Sequence, residues 1–430
     1  MSEKIKYINA SQFEKEVLHG GNVIVDFYST ECPPCEALAA KFEPLSEIFG
    51  DDITFIKIFR QENRALAESL GVTSSPTVLF YQNGREIGTR LSGSIKRSEL
   101  LDNIKLLLPH ERFSRLLSAI QPITTYTDIL IVGAGPAGLT AGIYAAQAKL
   151  KTIIVDTQLP GGQVQNTHMV SNYPGFAKPV EGFMLMHYMS EQAKEAGCEY
   201  RVAVDVSKIN LKERYVVIDD IETIYAQKII IATGTSYREL HIPGEGEYKG
   251  KGISYCATCD AKYYEDKHVV VIGGGNSAIE ESLFIAKFAK QITIVHQFDK
   301  LQANKEAQEK AFANSKISFM FSHEPRAFIK DDDSMIVEVE NLKNGARKRI
   351  ACDGVFIFVG LKPNLIQDDV KTDSNGYIIT DEFMHTSIPH VFAAGDIRSK
   401  PYRQITTAVS DGTIAAITAA KELEESSVAV

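Results

Sequence analysis

Cysteine is scarce in this chain: six residues in 430 are far too few for a disulfide scaffold. Tryptophan is absent altogether. No apolar run approaches the roughly 18 residues that a membrane-spanning helix needs, so such a span is excluded. The opening residues, MSEKIKYINASQFEKEV, intermix charges and offer no apolar stretch for a secretory leader. The expectation is a cytoplasmic protein without membrane contact. Basic residues are outnumbered: 46 Lys and Arg stand against 55 Asp and Glu, a net charge of −9. That balance argues against a nucleic-acid partner held through phosphate contacts. The remaining composition, 44% hydrophobic and 23% charged, is ordinary for a soluble globular chain. At about 150 residues per domain, the length predicts about three domains.

The residues up to about 108 read as a small α/β unit. NVIVDFY (22–28) and ITFIKIF (53–59) are strands, and ECPPCEALAAKFEPLSEIFG (31–50) opens a helix after the first. ENRALAESLGV is a second helix, closed by Gly71. TVLFY (77–81) and IGTRLSG (87–93) form a predicted hairpin turning at Asn83-Gly84. KRSELLDNIKLLL (96–108) is an amphipathic closing helix. Residues 109–126 contain two prolines and read as a linker with room for one helical stretch. A fresh strand, Gly-rich turn and helix start at 127–147, and 267–287 repeats the pattern, with Gly273 standing where Gly133 does. Duplicated nucleotide-binding units are the simplest explanation.

Four of the six cysteines form two Cys-x-x-Cys pairs. In Cys32-Pro33-Pro34-Cys35 the pair follows a strand and begins a helix. Free N–H groups at a helix start stabilise a thiolate, so Cys32 is the expected nucleophile and Cys35 the resolving thiol. The alternative, half of a zinc site, is disfavoured because the next pair lies far away, and no metal is predicted. With these residues, 1–107 resemble thioredoxin. The resemblance implies that Asp26 is a buried carboxylate moving the proton of Cys35, and that Lys57 is its partner. It makes Ser75-Pro76-Thr77 the cis-proline loop facing the dithiol, with Pro76 at the substrate side. Glu31 departs from the usual tryptophan and Pro33 from a glycine. Glu31 either raises the nucleophile's pKa or merely stands in solvent.

ILIVGAGPAGL supplies Gly133, Gly135 and Gly138, with Pro136 and Ala137 between them. The first glycine makes the turn, the second admits a pyrophosphate, and the third lets helix and strand pack. Asp156 ends the next strand, where an acid grips a ribose hydroxyl. GGQ (161–163), NYPG (172–175), IIIATG (229–234), VFAAGDI (391–397) and YRQITTA (402–408) resemble the FAD domain of low-molecular-weight thioredoxin reductases. That likeness spans 127–237 and 366–430. It implies FAD held by Gly161, Gly162, Gln163, Asn172, Thr233, Gly234 and Gly395. Asp396 is implied at the ribityl or phosphate end, and Arg403, Gln404 and Ile405 near the isoalloxazine.

SYCATCDAKYY places Cys256, Cys259 and Asp260 just before Gly273, inside the second nucleotide domain, 238–365. Cys-Ala-Thr-Cys-Asp resembles the active-site signature of the same family. By that likeness Cys259 faces the flavin, Cys256 attacks the outside disulfide and Asp260 is the acid/base. Gly273, Gly275, Asn276, Ser277 and Ala278 fit a second dinucleotide loop. The strand after it does not carry the family's arginines: of that reader only His296 survives, followed by Gln297-Phe298-Asp299-Lys300. An NAD-type acid is missing as well. The donor stays open between NADH, as in the partly similar alkyl hydroperoxide reductase flavoprotein, NADPH through Lys300 or Lys305, and ferredoxin. Cys198 and Cys352 have no partner motif and are expected to be buried free thiols.

The resemblances together imply an α/β chain: a thioredoxin fold followed by a two-domain flavoprotein disulfide reductase. Electrons would pass from NAD(P)H through FAD and Cys256/Cys259 to Cys32/Cys35 and on to client protein disulfides, a peroxiredoxin among the candidates. A homodimer is implied, with hinges near 235–245 and 361–366. A redox-regulated binding protein is the competing class.

Overall fold

The structure is a computed structural model that describes residues 3–167, 169–170, 172–331, 334–366 and 369–428, without the side chains of Cys259, Ser427 and Val428. The first unit is built on β1 (Ile5–Ile8), β2 (Asn22–Tyr28), β3 (Thr54–Phe59), β4 (Thr77–Gln82) and β5 (Arg85–Ser92). Their order is β1-β3-β2-β4-β5, with β1, β3 and β2 parallel and the last two antiparallel. Asn83 and Gly84 both take positive φ, as the tight hairpin requires. The helices are α1 (Ala10–Phe13), α2 (Pro33–Phe49), α3 (Arg64–Ser69), α4 (Arg97–Leu107) and α5 (His110–Ser118). Along α2, Leu38, Phe42, Leu45 and Phe49 recur at helical spacing and bury against Phe55 and Phe80.

The predicted linker is largely ordered structure. Residues of α5 pack back on the first unit: Phe113 stacks on Phe49 at 5.8 Å between ring centroids, and Arg112 pairs with Asp52 at 2.6 Å. The apolar spacing of Phe113, Leu116 and Leu117 gives this short helix a face to bury. Only residues 119–122 connect it to the next strand, which starts at Ile123 rather than Thr127. Its early start follows from pairing, because Ile123–Thr127 lie beside Glu222–Ala226.

The second unit contains β6 (Ile123–Val132), α6 (Pro136–Gln147), β7 (Thr152–Asp156), α7 (Gly182–Ala196), β8 (Glu199–Val202), β9 (Val206–Asn210), β10 (Tyr215–Ile218) and β11 (Glu222–Ile231). Strand β12 (Thr235–Tyr237) leaves it. The third unit follows with α8 (Glu245–Tyr248), β13 (Ile253–Ser254), α9 (Ala257–Asp260), β14 (His268–Ile272), α10 (Asn276–Ile285), β15 (Gln291–His296), α11 (Lys305–Ala313) and β16 (Ile317–Phe321). A three-stranded antiparallel sheet, β17 (His323–Asp331), β18 (Ser334–Asn341) and β19 (Arg347–Cys352), precedes β20 (Gly354–Ile357). The chain returns through β21 (Leu361–Pro363) to β22 (Val391–Ala393) and α12 (Ile405–Val428).

Two parallel βαβ cores result. Strands β7, β6, β11 and β22 form the centre of one sheet, and β20, β14, β15 and β16 most of the other. Each is buried on both faces, which is why strands such as ILIV and VVVI are continuously apolar. The two crossings between units pair as a ribbon, Thr235 opposite Pro363 and Tyr237 opposite Leu361. That ribbon coincides with the hinge segments read from the sequence.

A Phe113→Ala substitution is expected to destabilise the first unit by about 3 kcal/mol, because a stacked core ring is lost. Denaturant unfolding followed by a probe in that unit checks this. A linker without structural weight would leave its midpoint unmoved.

Candidate functional site

Chemistry gathers at three strand-to-helix junctions. At the first, Cys32 is the N-cap of α2, with Pro33 and Pro34 in its first turn, where a missing N–H has no consequence. Cys35 N–H points at Cys32 Sγ over 3.3 Å, the contact that would steady a thiolate. Cys32 and Cys35 are joined as a disulfide. The Ser75–Pro76 bond is cis, and the Ser75 carbonyl lies 3.6 Å from Cys32 Sγ. Glu31 is exposed, with φ +51, so its backbone turns the chain sharply into the dithiol. Asp26, in the middle of β2, is 1% exposed and its Oδ1 has no hydrogen-bond partner. Burial pushes its carboxyl up to about 7, against the pull of Lys57. Lys57 is itself buried between the rings of Tyr28 and Phe42.

The second junction opens on a cavity of about 1110 Å³. Gly133, Gly135, Pro136 and Ala137 line it, with Asp156, Gly162, Gln163, Thr233, Gly234, Gly395, Asp396, Arg403, Gln404 and Ile405. Gly135 is the N-cap of α6, so the free N–H groups of that helix face the cavity. A side chain at Gly135 would project toward Gly162 across the cavity, whereas one at Gly133 would strike the Ala232 backbone. Gly138 lines nothing; its missing Cβ lets α6 press on the Gly133 carbonyl. Asp156 accepts from Ala134 N–H at 2.7 Å and Gln158 N–H at 2.8 Å, which orients it at the cavity edge. Burial raises its carboxyl and these bonds pull it down. Asp396 Oδ1 is buried without a hydrogen-bond partner, although Lys400 lies 3.3 Å away. Burial raises this carboxyl too, opposed by Lys400. Gly161 and Asn172 stand outside the lining; Asn172 donates to Gln404 at 3.2 Å. A backbone cradle at a helix start and an acid at the end of the next strand suit a dinucleotide carrying a diphosphate.

The third junction belongs to the inserted unit, and it reaches the same cavity. Cys256, Ala257 and Thr258 line it beside Ser277 and Glu281 of α10. Cys256 is disulfide-bonded; the side chain of Cys259 lies outside the described residues. The Thr258 hydroxyl donates to the Asn166 carbonyl, which ties this loop to the second unit. Asp260 closes the turn by donating its N–H to the Cys256 carbonyl at 3.3 Å but does not line the cavity. Glu281 does line it, and burial and Glu280 push its carboxyl up to about 7. The sequence reading missed Glu281; its signal was the i, i+4 spacing from Ser277, which puts both on one face of α10.

Gly275 caps α10 as Gly135 caps α6. Asn276 is committed locally, accepting from Asn304 N–H at 2.7 Å, and Ala278 is buried core. His296, expected to read the nucleotide, instead lies beneath the loop. It is 5% exposed and fills the space that a side chain at Gly274 would need. Burial lowers its pKa, and a bond involving Lys300 acts against that. Gln297, Asp299, Lys300 and Lys305 are exposed nearby. Cys198 and Cys352 are free and buried, and burial pushes both thiols up to about 12.

The family model for pyridine nucleotide-disulphide oxidoreductases matches residues 127–412, and that for thioredoxin matches 4–106. A thioredoxin reductase of Peptoclostridium acidaminophilum is 44% identical over 306 residues, covering 69% of this chain and 97% of that protein. A 34.2 kDa protein in the rubredoxin operon of Clostridium pasteurianum is 44% identical over 297 residues, covering 68% and 96%. Among solved structures, the thioredoxin reductase of Lactococcus lactis in its FR conformation superposes with a TM-score of 0.65 at 40% identity, over 70% of this chain and 99% of that one.

The raised Asp26 carboxyl fixes a pH dependence. Between its unfolded value of about 3.9 and about 7, the native state holds a proton that the unfolded chain has released. The contribution of Asp26 to the stability of the first unit is therefore full at low pH and falls as pH rises toward 7, by up to about 4 kcal/mol. Asp26→Asn is expected to be the more stable form at pH 8 and to converge with the parent near pH 4. Equal stability at pH 8 would show that the carboxylate is not desolvated.

Proposed function

The chain belongs to the pyridine nucleotide-disulphide oxidoreductases, as a thioredoxin reductase carrying its own thioredoxin domain, and from that membership we propose how its residues run the relay. Electrons leave the reductase through Cys256 and Cys259, pass to Cys32 and Cys35, and reach client protein disulfides. The observation that carries this reading is the position of Cys256 on the wall of the cavity lined by Gly133, Gly135, Pro136 and Ala137 and by Arg403, Gln404 and Ile405.

The cavity's cofactor is FAD, which when bound supplies two-electron transfer between nicotinamide and disulfide. The α6 N-terminus and Gly162 would hold its diphosphate, Asp156 a ribose, and Asp396 the ribityl or phosphate end. Arg403, Gln404 and Ile405 line the same cavity, where the isoalloxazine would sit. Once the dithiol is reduced, the Cys256 thiolate attacks Cys32 Sγ. The Cys32–Cys35 bond breaks, and Cys35 leaves as a thiolate that takes a proton from Asp26. Cys259 then attacks Cys256 and frees Cys32, regenerating the reductase disulfide. Asp260 and Glu281 are the carboxyls available to hold the dithiol's protons, and Glu281 keeps one near neutral pH. Because Cys256 faces the cavity, reaching Cys32 requires the third unit to rotate about the β12–β21 ribbon.

NADH is the proposed nicotinamide. A 2′-phosphate needs cations, and between Gln297 and Gln302 there is a single one, Lys300. Anaerobic titration is expected to bleach the flavin at lower NADH than NADPH. A preference for NADPH beyond about tenfold would reverse this assignment, and bleaching by reduced ferredoxin alone would replace both.

Cys259→Ser is expected to trap a covalent Cys256–Cys32 adduct, read by non-reducing peptide mapping. An adduct that migrates at 47.5 kDa forms within one chain, and one at twice that mass forms between the subunits of the proposed homodimer. No adduct under reducing turnover would end the relay as written.

A further inference from the structure

The thioredoxin domain is not free beside its reductase. Lys41 of α2 is 6% exposed, and its ammonium donates to Ala37 O at 2.9 Å and to Val202 O at 3.1 Å, across to the end of β8. Burying an ammonium in a socket of two carbonyls is unfavourable unless negative charge stands near. Asp219 and Asp205 provide it. Lys96, the N-cap of α4, pairs with Asp205 at 3.2 Å. Next to it Arg97 is buried and faces Asp219 and Asp220 across a cavity of about 280 Å³. Glu36, in the first turn of α2, pairs with Lys194 of α7 at 2.9 Å.

The acidic side of this contact is built rather than incidental. Asp205 N–H donates to Asp219 Oδ1 at 2.8 Å, and Asp219 N–H returns a bond to Asp205 O at 2.7 Å. Ala203, Asp219 and Asp220 all take positive φ, an unfavourable conformation for residues with a Cβ. Strained backbone thus holds two carboxylates side by side, an arrangement that like-charge repulsion opposes. Opposing cations relieve it. Burial pushes the Asp205 carboxyl up, but Ser98 and Lys96 hold it below its ordinary range.

In the docked position Cys32 is closed in its disulfide with Cys35. The described hydrogen bonds of Cys32 Sγ go to Ser75 and Cys35, while Cys256 lines the internal cavity with Thr258 tied to Asn166. The tether between the units is residues 119–122, which span at most about 14 Å. A tether that short permits a swing about one point, not a free excursion. We propose that the edge formed by Asp205, Asp219 and Val202 is a docking surface for the chain's own thioredoxin domain, a charge-held resting position that Cys32 must leave before Cys256 can reach it. The gating part rests on the relay proposed above; the docking itself does not.

Solution scattering and transfer rate test the two separately, on the intact FAD-loaded chain. Exposed pairs of this kind are worth about a twofold to fivefold factor each and are screened by salt. Raising salt from about 0.05 M to about 0.5 M should therefore enlarge the radius of gyration. The Asp205→Lys/Asp219→Lys variant should be expanded at low salt already, and adding Lys96→Glu/Arg97→Glu should restore compactness. Reduction of the Cys32–Cys35 disulfide, followed by rapid thiol labelling, should be several-fold faster in the expanded variant at low salt. Scattering that ignores both salt and charge reversal overturns the docking surface. Expansion with an unchanged transfer rate overturns the gate and leaves the relay standing. A dead relay with normal salt-dependent expansion refutes the relay and the gate with it, but not the docking.

Discussion

The first dithiol and both glycine loops of this molecule depend on the unpaired N–H groups at the start of a helix that follows a strand. A helix start collects donors that the helix itself cannot use, and it carries partial positive charge. The chain places this feature three times, with Cys32 capping α2, Gly135 capping α6 and Gly275 capping α10. What each receives is decided by the capping residue. A cysteine makes the donors steady a thiolate, and a glycine leaves room for a ligand's diphosphate. One local interaction therefore serves both kinds of chemistry in the relay.

The architecture must then reconcile two demands on the inserted domain. Its dithiol has to face the flavin cavity, and the same dithiol has to meet Cys32 on a different domain. The structure answers the first demand, with Cys256 on the cavity wall, and supplies the means for the second in a two-stranded ribbon. A ribbon of three residues per strand is stiff against stretching yet has few bonds to repack when it twists. The thioredoxin domain meets a similar conflict. Its own helix α5 consumes most of the connecting segment, so its reach is set by four residues and by charged contacts with the neighbouring domain.

Buried carboxyls follow one pattern with different outcomes. Asp26 and Glu281 are desolvated with little hydrogen bonding, and both are pushed up to about 7. Asp205 is partly desolvated but strongly bonded, and it stays ionised. Proton carriers and anchors are separated by the donors around them, not by residue type.

What the sequence by itself determined are the two Cys-x-x-Cys pairs and the two glycine-rich turns. These are short-range features: a strand, a turn and a helix start are adjacent along the chain, and their chemistry needs residues only a few positions apart. Asp156 was legible from its spacing after Gly133, whereas Asp396 was implied only by the resemblance to the FAD domain. Tertiary structure alone decided what depends on distant packing. His296 follows the second loop in register, yet Gly274 has no side chain, so the ring fills the space beneath the loop. Glu281 outranks Asp260 as a cavity-lining carboxyl only because the inserted domain sits with one face of α10 toward the flavin unit. The polar stretch 109–126 hid a helix whose partner, Phe49, lies far back in the chain. The charge pairing of Lys96 with Asp205 joins residues that no periodicity connects, since it is set by the relative placement of two folded domains.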